Sequence, residues 1–217
     1  MAELVPAILT NDINDFRKKY ADLFAFSHYF KKLHIDFTDG DFVPEKSIHI
    51  SELGFLKSPF TLMAHLMVVN PKDYFEDAKK SGFGWVLFHY EVFDEDNEID
   101  ATIEKARDLG LKVGLVLNPE TPLFAPSKFF GKVDLIQLMG IIPGAQGRAF
   151  QEQTYDRIKE LKKLTKRAII SVDGGVKVGI ARKCAEAGAD LLVAGSAIVK
   201  AHDEEYAIES LAKDIEK

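Results

Sequence analysis

The chain has one cysteine, Cys184, and so cannot close an internal disulfide. That usage fits a reducing compartment, and a cytoplasmic location is expected from it. Cys184 lies in ARKCAEAG, a helical pattern in which a thiol serves packing. Excess positive charge is also missing. The formal net charge is −6, which offers no electrostatic basis for binding nucleic acid or an anionic membrane surface. An anionic ligand would need local positive potential instead, from backbone N–H groups or a metal. No apolar run approaches the ~20 residues needed to cross a bilayer. The opening MAELVPAILT lacks a basic segment and has only a short apolar stretch, so no signal peptide is expected. Linkers, low-complexity tracts and composition breaks are absent, and residues 1–217 read as one domain.

What is present is alternation. Short apolar runs predict strands at Val5–Leu9, Leu33–Asp36, Thr61–Leu66, Trp85–His89, Lys112–Leu117, Leu135–Met139, Ala168–Val172 and Leu191–Ala194. Between them, apolar residues at three- and four-residue spacing predict helices at Ile13–Phe24, His49–Leu56, Pro71–Lys80, Ile99–Leu109, Leu123–Phe130, Thr154–Leu164 and Val178–Ala187. A further helix, Glu204–Ile215, closes the chain. Pro71 and Pro122 stand where first helical turns would begin, with Asn70 and Thr121 before them as caps. Gly82, Gly110 and Gly188 follow helix ends. Continuously apolar strands are buried on both faces, as in a parallel sheet. Eight such strand–helix units in 217 residues imply a (β/α)8 TIM barrel of the α/β class. The competing open, doubly wound sheet usually carries a glycine-rich loop after its first strand, and AILTNDI has no glycine.

In such barrels chemistry sits at the C-terminal ends of the strands. There the chain places His34 and Asp36 (LHIDFTDG), His65 (MAHLM) and Asp173 (SVDGGV). Singly, a histidine at a strand end is more often a satisfied structural residue than a ligand. Together, two imidazoles and two carboxylates suit one divalent metal such as zinc, iron or manganese. A metal flanked by two carboxylates can polarise a carbonyl while one acid removes a proton and the other returns one. The loops Asp173-Gly174-Gly175-Val176 and Ala194-Gly195-Ser196-Ala197 follow strands seven and eight, where these barrels often bind phosphate. A Gly-Gly turn alone would be an ordinary tight turn; two such loops at these places favour phosphate binding. The long loop after strand six, Met139 to Arg148, could fold over a ligand. His89 is read as a pocket wall, with no second ligand placed beside it.

These residues, in this order, resemble the ribulose-phosphate 3-epimerase family. The likeness runs from PAIL to AGSAI through HIDFTDGDFVP, HLM, LNPETPL, PG-x-x-G and VDGGV. Family members are TIM barrels that interconvert D-ribulose 5-phosphate and D-xylulose 5-phosphate by inverting C3. The resemblance implies metal ligands at His34, Asp36, His65 and Asp173, and an acid/base pair at Asp36 and Asp173. It implies phosphate binding at Gly144, Gly174, Gly175, Gly195 and Ser196, and further substrate contacts at His65, Met67 and Met139. A small-molecule sugar phosphate is thus the expected partner, and the sequence leaves a homo-oligomer open. Three departures stand out. Ala7 replaces the usual serine, Thr38 the usual methionine, and 142–148 the usual N/E-PGFGGQ.

Two other readings compete. Related decarboxylases resemble a D-x-K-x-x-D pattern at strand two, but Asp36-Phe37-Thr38-Asp39 has no lysine, and no lysine is well placed for a Schiff base. The departures at Ala7, Thr38 and 142–148 motivate a non-catalytic sugar-phosphate binder. Retention of both carboxylates and both histidines opposes it, because binding alone needs no acid/base pair.

Overall fold

In the computed structural model, which describes residues 2–143 and 149–216, the apolar runs form eight parallel strands closed into a barrel. They are β1 (Glu3–Ile8), β2 (Lys32–Thr38), β3 (Thr61–Met67), β4 (Trp85–His89), β5 (Lys112–Leu117), β6 (Leu135–Met139), β7 (Ile169–Asp173) and β8 (Leu191–Ala194). Each strand pairs with the next, and β8 pairs with β1 through Glu3–Leu191 to Pro6–Ala194. With helices alternating around it, this is the (β/α)8 TIM barrel that the sequence implies.

The outer helices are α1 (Ile13–Ala25), α2 (Phe75–Lys80), α3 (Asp96–Asp108), α4 (Gln153–Leu164), α5 (Ile180–Ala187), α6 (Ser196–Val199) and α7 (Glu204–Ile215). Local chemistry starts and stops several of them. Asp12 accepts from the Asn14 N–H to open α1, and Asp203 accepts from the Tyr206 N–H to open α7. Gly188 ends α5 in the left-handed region, φ 112°, which a side chain would resist. The buried faces of α1 and α7 are Phe16 and Leu23, and Ile208 and Leu211. Cys184 is buried in α5, where burial pushes its thiol up to about 12, as a packing role requires. No helix among the described residues is long and apolar enough to cross a membrane.

Two expected helices shrink to single 3-10 turns, and one divides. His49–Leu56 keeps only Ile50–Leu53, opened by a His49–Glu52 capping box and stopped at Gly54. Leu123–Phe130 keeps only Ser127–Phe129, because Pro126 lacks an N–H and keeps its predecessor from helical geometry. The expected Thr121–Pro122 helix start is therefore a turn. Pro71–Lys80 splits into a 3-10 turn, Pro71–Tyr74, followed by α2, and the Asn70 side chain makes no capping bond.

Strand alternation sorts the core into two layers. Ile8, Phe37, Leu66, Phe88, Leu115, Ile136, Ile170 and Leu192 belong to the cluster shared with the helices. The barrel interior holds Val5, Ala7, Met63, Trp85, Leu87, Val116, Leu135, Met139, Leu191 and Val193. Gly114 serves this inner layer: a Cβ there would lie 2.6 Å from Leu87 Cγ. The inner face is not apolar throughout. Buried His34, Asp36, His65, His89, Gln137, Ser171 and Asp173 interrupt it toward the C-terminal strand ends.

Candidate active site

Register brings the polar residues together. His34 and Asp36 lie two apart on β2 and so share a face. Asp36 is level with His65 of β3, and Asp173 of β7 is level with Met139 of β6. The result is one buried cluster of His34, Asp36, His65 and Asp173, whose donor atoms all lie within 4.8 Å of one another. Asp36 Oδ1 is 2.8 Å from His65 Nδ1 and 3.3 Å from His34 Nδ1. Asp173 Oδ2 is 3.4 Å from the same His65 nitrogen.

Residues not singled out from the sequence support the cluster. Gln137 Nε2 donates to Asp173 Oδ2 at 3.3 Å, and Gln137 Oε1 accepts from Ser171 Oγ at 3.1 Å. The signal was available: glutamine inside the apolar run LIQLM demands a buried polar partner. His89, expected at a pocket wall, is fully buried, with Nε2 3.0 Å from His65 Nε2 and Nδ1 3.3 Å from Glu91 Oε2. The spacing His89-x-Glu91 repeats that of His34-x-Asp36.

Burial acts on every group, and neighbouring charges decide the direction. Burial raises the Asp36 carboxyl, but the two imidazoles outweigh it and hold Asp36 well below the usual range. Burial raises Asp173, the Asp36 charge adds to that, and the histidines only partly oppose it. Burial lowers His34, but Asp36 reverses this and the net shift is upward. Burial dominates at His65, whose shift is downward. Two carboxyls in one site are thus pushed apart, one toward the ionised form and one toward the protonated form.

The donor set fits a divalent cation. Among the described residues neither ring nitrogen of His34 has a hydrogen-bond partner, although both are buried. The 3.3 Å to Asp36 is close without hydrogen-bond alignment. An orphaned buried imidazole is costly unless it ligates something. Three donor-atom separations of 2.8, 3.3 and 3.4 Å, with all four donors within 4.8 Å of one another, leave the set close enough to share one cation.

Above the cluster opens a cavity of about 640 Å³, counting its mouth. Asp36 and Asp173 reach it, together with Met67, Met139, Gly174, Gly175, Gly195 and Ser196. Ala7 and Thr38, the two departures, also line it, and so does Glu45, which sequence reasoning passed over. The Thr38 hydroxyl has no hydrogen-bond partner among the described residues. His65, expected to contact substrate, is fully buried and does not line the cavity. Gly144 and Arg148 lie outside the described residues. The Gly174 backbone has φ 96°, and a Cβ there would sit 2.5 Å from Ile141 Cγ1. Glycine thus lets the β7 loop pass close under the β6 loop.

The sequence matches the model of the ribulose-phosphate 3 epimerase family over residues 3–199. The chain belongs to that family. It is an isomerase of the ribulose-phosphate 3-epimerase type, related to enzymes of that name along nearly its whole length. It is 34% identical to the ribulose-phosphate 3-epimerase of Bacillus subtilis, covering 97% of this chain and 98% of that one. It is 28% identical to the Schizosaccharomyces pombe enzyme of the same name, covering 100% and 95%. The 3-hexulose-6-phosphate synthase of Salmonella typhimurium superposes with a TM-score of 0.70 over 98% of each chain. At 16% identity that likeness is one of fold alone.

Proposed function

We propose that this epimerase inverts C3 of a ketose phosphate, converting D-ribulose 5-phosphate to D-xylulose 5-phosphate and back. The observation that carries the reading is the arrival of Asp36 and Asp173 at one cavity from β2 and β7, with their carboxyls shifted in opposite directions. Asp36, held ionised by His34 and His65, is suited to take the C3 proton. Asp173, held toward its acid form, is suited to return one from the other face of the planar carbon skeleton. In the reverse direction the roles exchange. Proton count balances: one C–H bond breaks toward one carboxylate, and another forms from the other carboxylic acid.

His34, Asp36, His65 and Asp173 would hold one divalent cation, zinc, iron or manganese. When bound, it supplies positive charge against the negative charge that develops on the sugar oxygens. Gln137 keeps the Asp173 carboxylate oriented through Nε2. Met67 and Met139 give the reacting carbons an apolar wall, and Gly174, Gly175, Gly195 and Ser196 give the phosphate backbone N–H groups. Gly144 is proposed for the phosphate on sequence resemblance. Residues 1–217 are proposed to act as one barrel domain, in the cytoplasm, with a homo-oligomer left open.

A second reading is an epimerase for another pentulose or hexulose phosphate. It is favoured by the unpartnered Thr38 hydroxyl and the small Ala7 in the cavity wall. The experiment combines elemental analysis of the purified protein with deuterium incorporation at C3 of D-ribulose 5-phosphate in D2O, using His65→Ala as control. Expected are one metal per chain, lost in the variant, and C3 exchange coupled to inversion. Equal metal content in both proteins, or no exchange by the metal-loaded wild type, would overturn the proposal.

A further inference from the structure

Outside the four-residue cluster, one feature of the buried barrel end has no role in the chemistry above. A row of polar groups runs sideways from His65 through His89 to Glu91, away from the cavity. His65 Nδ1 faces Asp36 and Asp173, at 2.8 and 3.4 Å, so its Nε2 is the outward nitrogen. That Nε2 lies 3.0 Å from His89 Nε2. Two ring nitrogens at this distance need one proton between them. Two lone pairs would repel, and two N–H groups would clash.

Glu91 decides which ring holds it. Its Oε2 lies 3.3 Å from His89 Nδ1, and its Oε1 accepts from the Asn118 N–H at 2.8 Å and from the Thr121 hydroxyl. With Oε1 already taking two donors, the Glu91 carboxylate offers His89 only an acceptor at Oε2, which places a hydrogen on His89 Nδ1. In a neutral ring, His89 Nε2 is then a lone pair and accepts from His65 Nε2–H. Without a cation, His65 Nδ1 lies 2.8 Å from Asp36 Oδ1 and carries the hydrogen of that bond; a bound cation would displace this hydrogen and take the Nδ1 lone pair, leaving Nε2 as the N–H turned to His89. Packing holds the rings in place: His89 lies against Phe42, centroids 4.6 Å apart, and against His65 at 5.1 Å. Glu91 is only 20% exposed, so water competes weakly for its oxygens.

We infer that His89 and Glu91 are positioning residues that fix the tautomer and ring angle of His65, presenting its Nδ1 to a cation. The inference rests on the proposed metal site and deepens it. A histidine ligand commonly donates its other N–H to an outer acceptor, and loss of such a partner typically costs about 10–100-fold in metal affinity. Here the acceptor is a second imidazole, itself aligned by a carboxylate on the turn after β4.

Two variants test it. In Glu91→Gln the amide oxygen is claimed by the Asn118 N–H and Thr121, which turns the NH2 toward His89 Nδ1. The proton order then inverts, and His65 Nδ1 is no longer free. In His89→Phe the volume stays and the acceptor is gone. Zinc affinity would be measured by chelator competition for wild type, both variants and His65→Ala, with thermal melts of the metal-free proteins showing that each folds. Histidine 15N NMR of the zinc-loaded wild type would assign the ring tautomers.

Expected are a roughly 10–100-fold weaker zinc affinity in both variants, and wild-type spectra with hydrogen on His65 Nε2 and His89 Nδ1. If wild type binds zinc and His65→Ala does not, yet Glu91→Gln and His89→Phe bind within about twofold of wild type, the inference alone is overturned. Hydrogen on His89 Nε2 in the zinc-loaded wild type would overturn it as well. A wild type that binds no zinc would remove the metal site and the inference with it.

Discussion

Replacing Asp173 by asparagine tests the two-acid reading most directly. The change keeps volume and one side-chain oxygen, so the 3.3 Å contact from Gln137 Nε2 can survive. What disappears is the capacity to carry a proton. General acid/base catalysis contributes about 10²–10⁴-fold, which is about 2.7–5.4 kcal/mol at 1.36 kcal/mol per decade. Asp173 also lies 3.4 Å from His65 Nδ1 within the proposed ligand set, so cation binding suffers too. Turnover at saturating metal is therefore expected below roughly 1% of wild type.

The more telling readout is isotopic. Asp36 remains and can still remove the C3 proton from the epimer that presents it on that face. With no acid opposite, the proton can only return to the same face. Asp173→Asn should thus wash C3 hydrogen of one epimer into D2O without inversion, and Asp36→Asn should do the same for the other epimer. The assay is NMR of each sugar phosphate incubated with each variant. Turnover above roughly a tenth of wild type, or equal washout from both epimers by one variant, would refute the assignment of one acid to each face.

The remaining expectations concern specificity, phosphate and packing. The Ala7→Ser/Thr38→Met double variant should gain kcat/KM on D-ribulose 5-phosphate relative to wild type, measured against several pentulose and hexulose phosphates. A wild type that already matches it and prefers ribulose 5-phosphate would show that these cavity residues do not set specificity. Non-phosphorylated D-ribulose should bind much more weakly than its phosphate ester if the loops at Gly174, Gly175, Gly195 and Ser196, which line the cavity, hold the phosphate as proposed; steady-state KM values decide this. Gly114→Ala would force a Cβ to within 2.6 Å of Leu87 Cγ and 3.2 Å of Leu135 Cδ2. Overpacking of this kind costs about 1–3 kcal/mol, or roughly 2–12 °C in Tm for a chain of this size. An unchanged melting temperature would mean that the inner layer yields.

Much of this protein was legible before any coordinates. Strand positions follow from runs such as Trp85–His89 and Leu135–Met139, because burial on both faces demands consecutive apolar residues. The places of His34, Asp36, His65 and Asp173 follow from strand ends and from the two-residue period. Family membership follows from the motifs that hold them, as the match over residues 3–199 shows. Helix length was less legible, since Pro126 and Gly54 shorten segments whose apolar spacing alone suggests full helices. Tertiary structure decided the rest. Whether His89 stands beside His65, and whether Gln137 reaches Asp173, depends on the stagger between neighbouring strands. That stagger is set by closure of the whole barrel and leaves no local mark on the chain. The same closure placed His65 behind the cavity wall while Asp36, level with it on the adjacent strand, reaches the cavity.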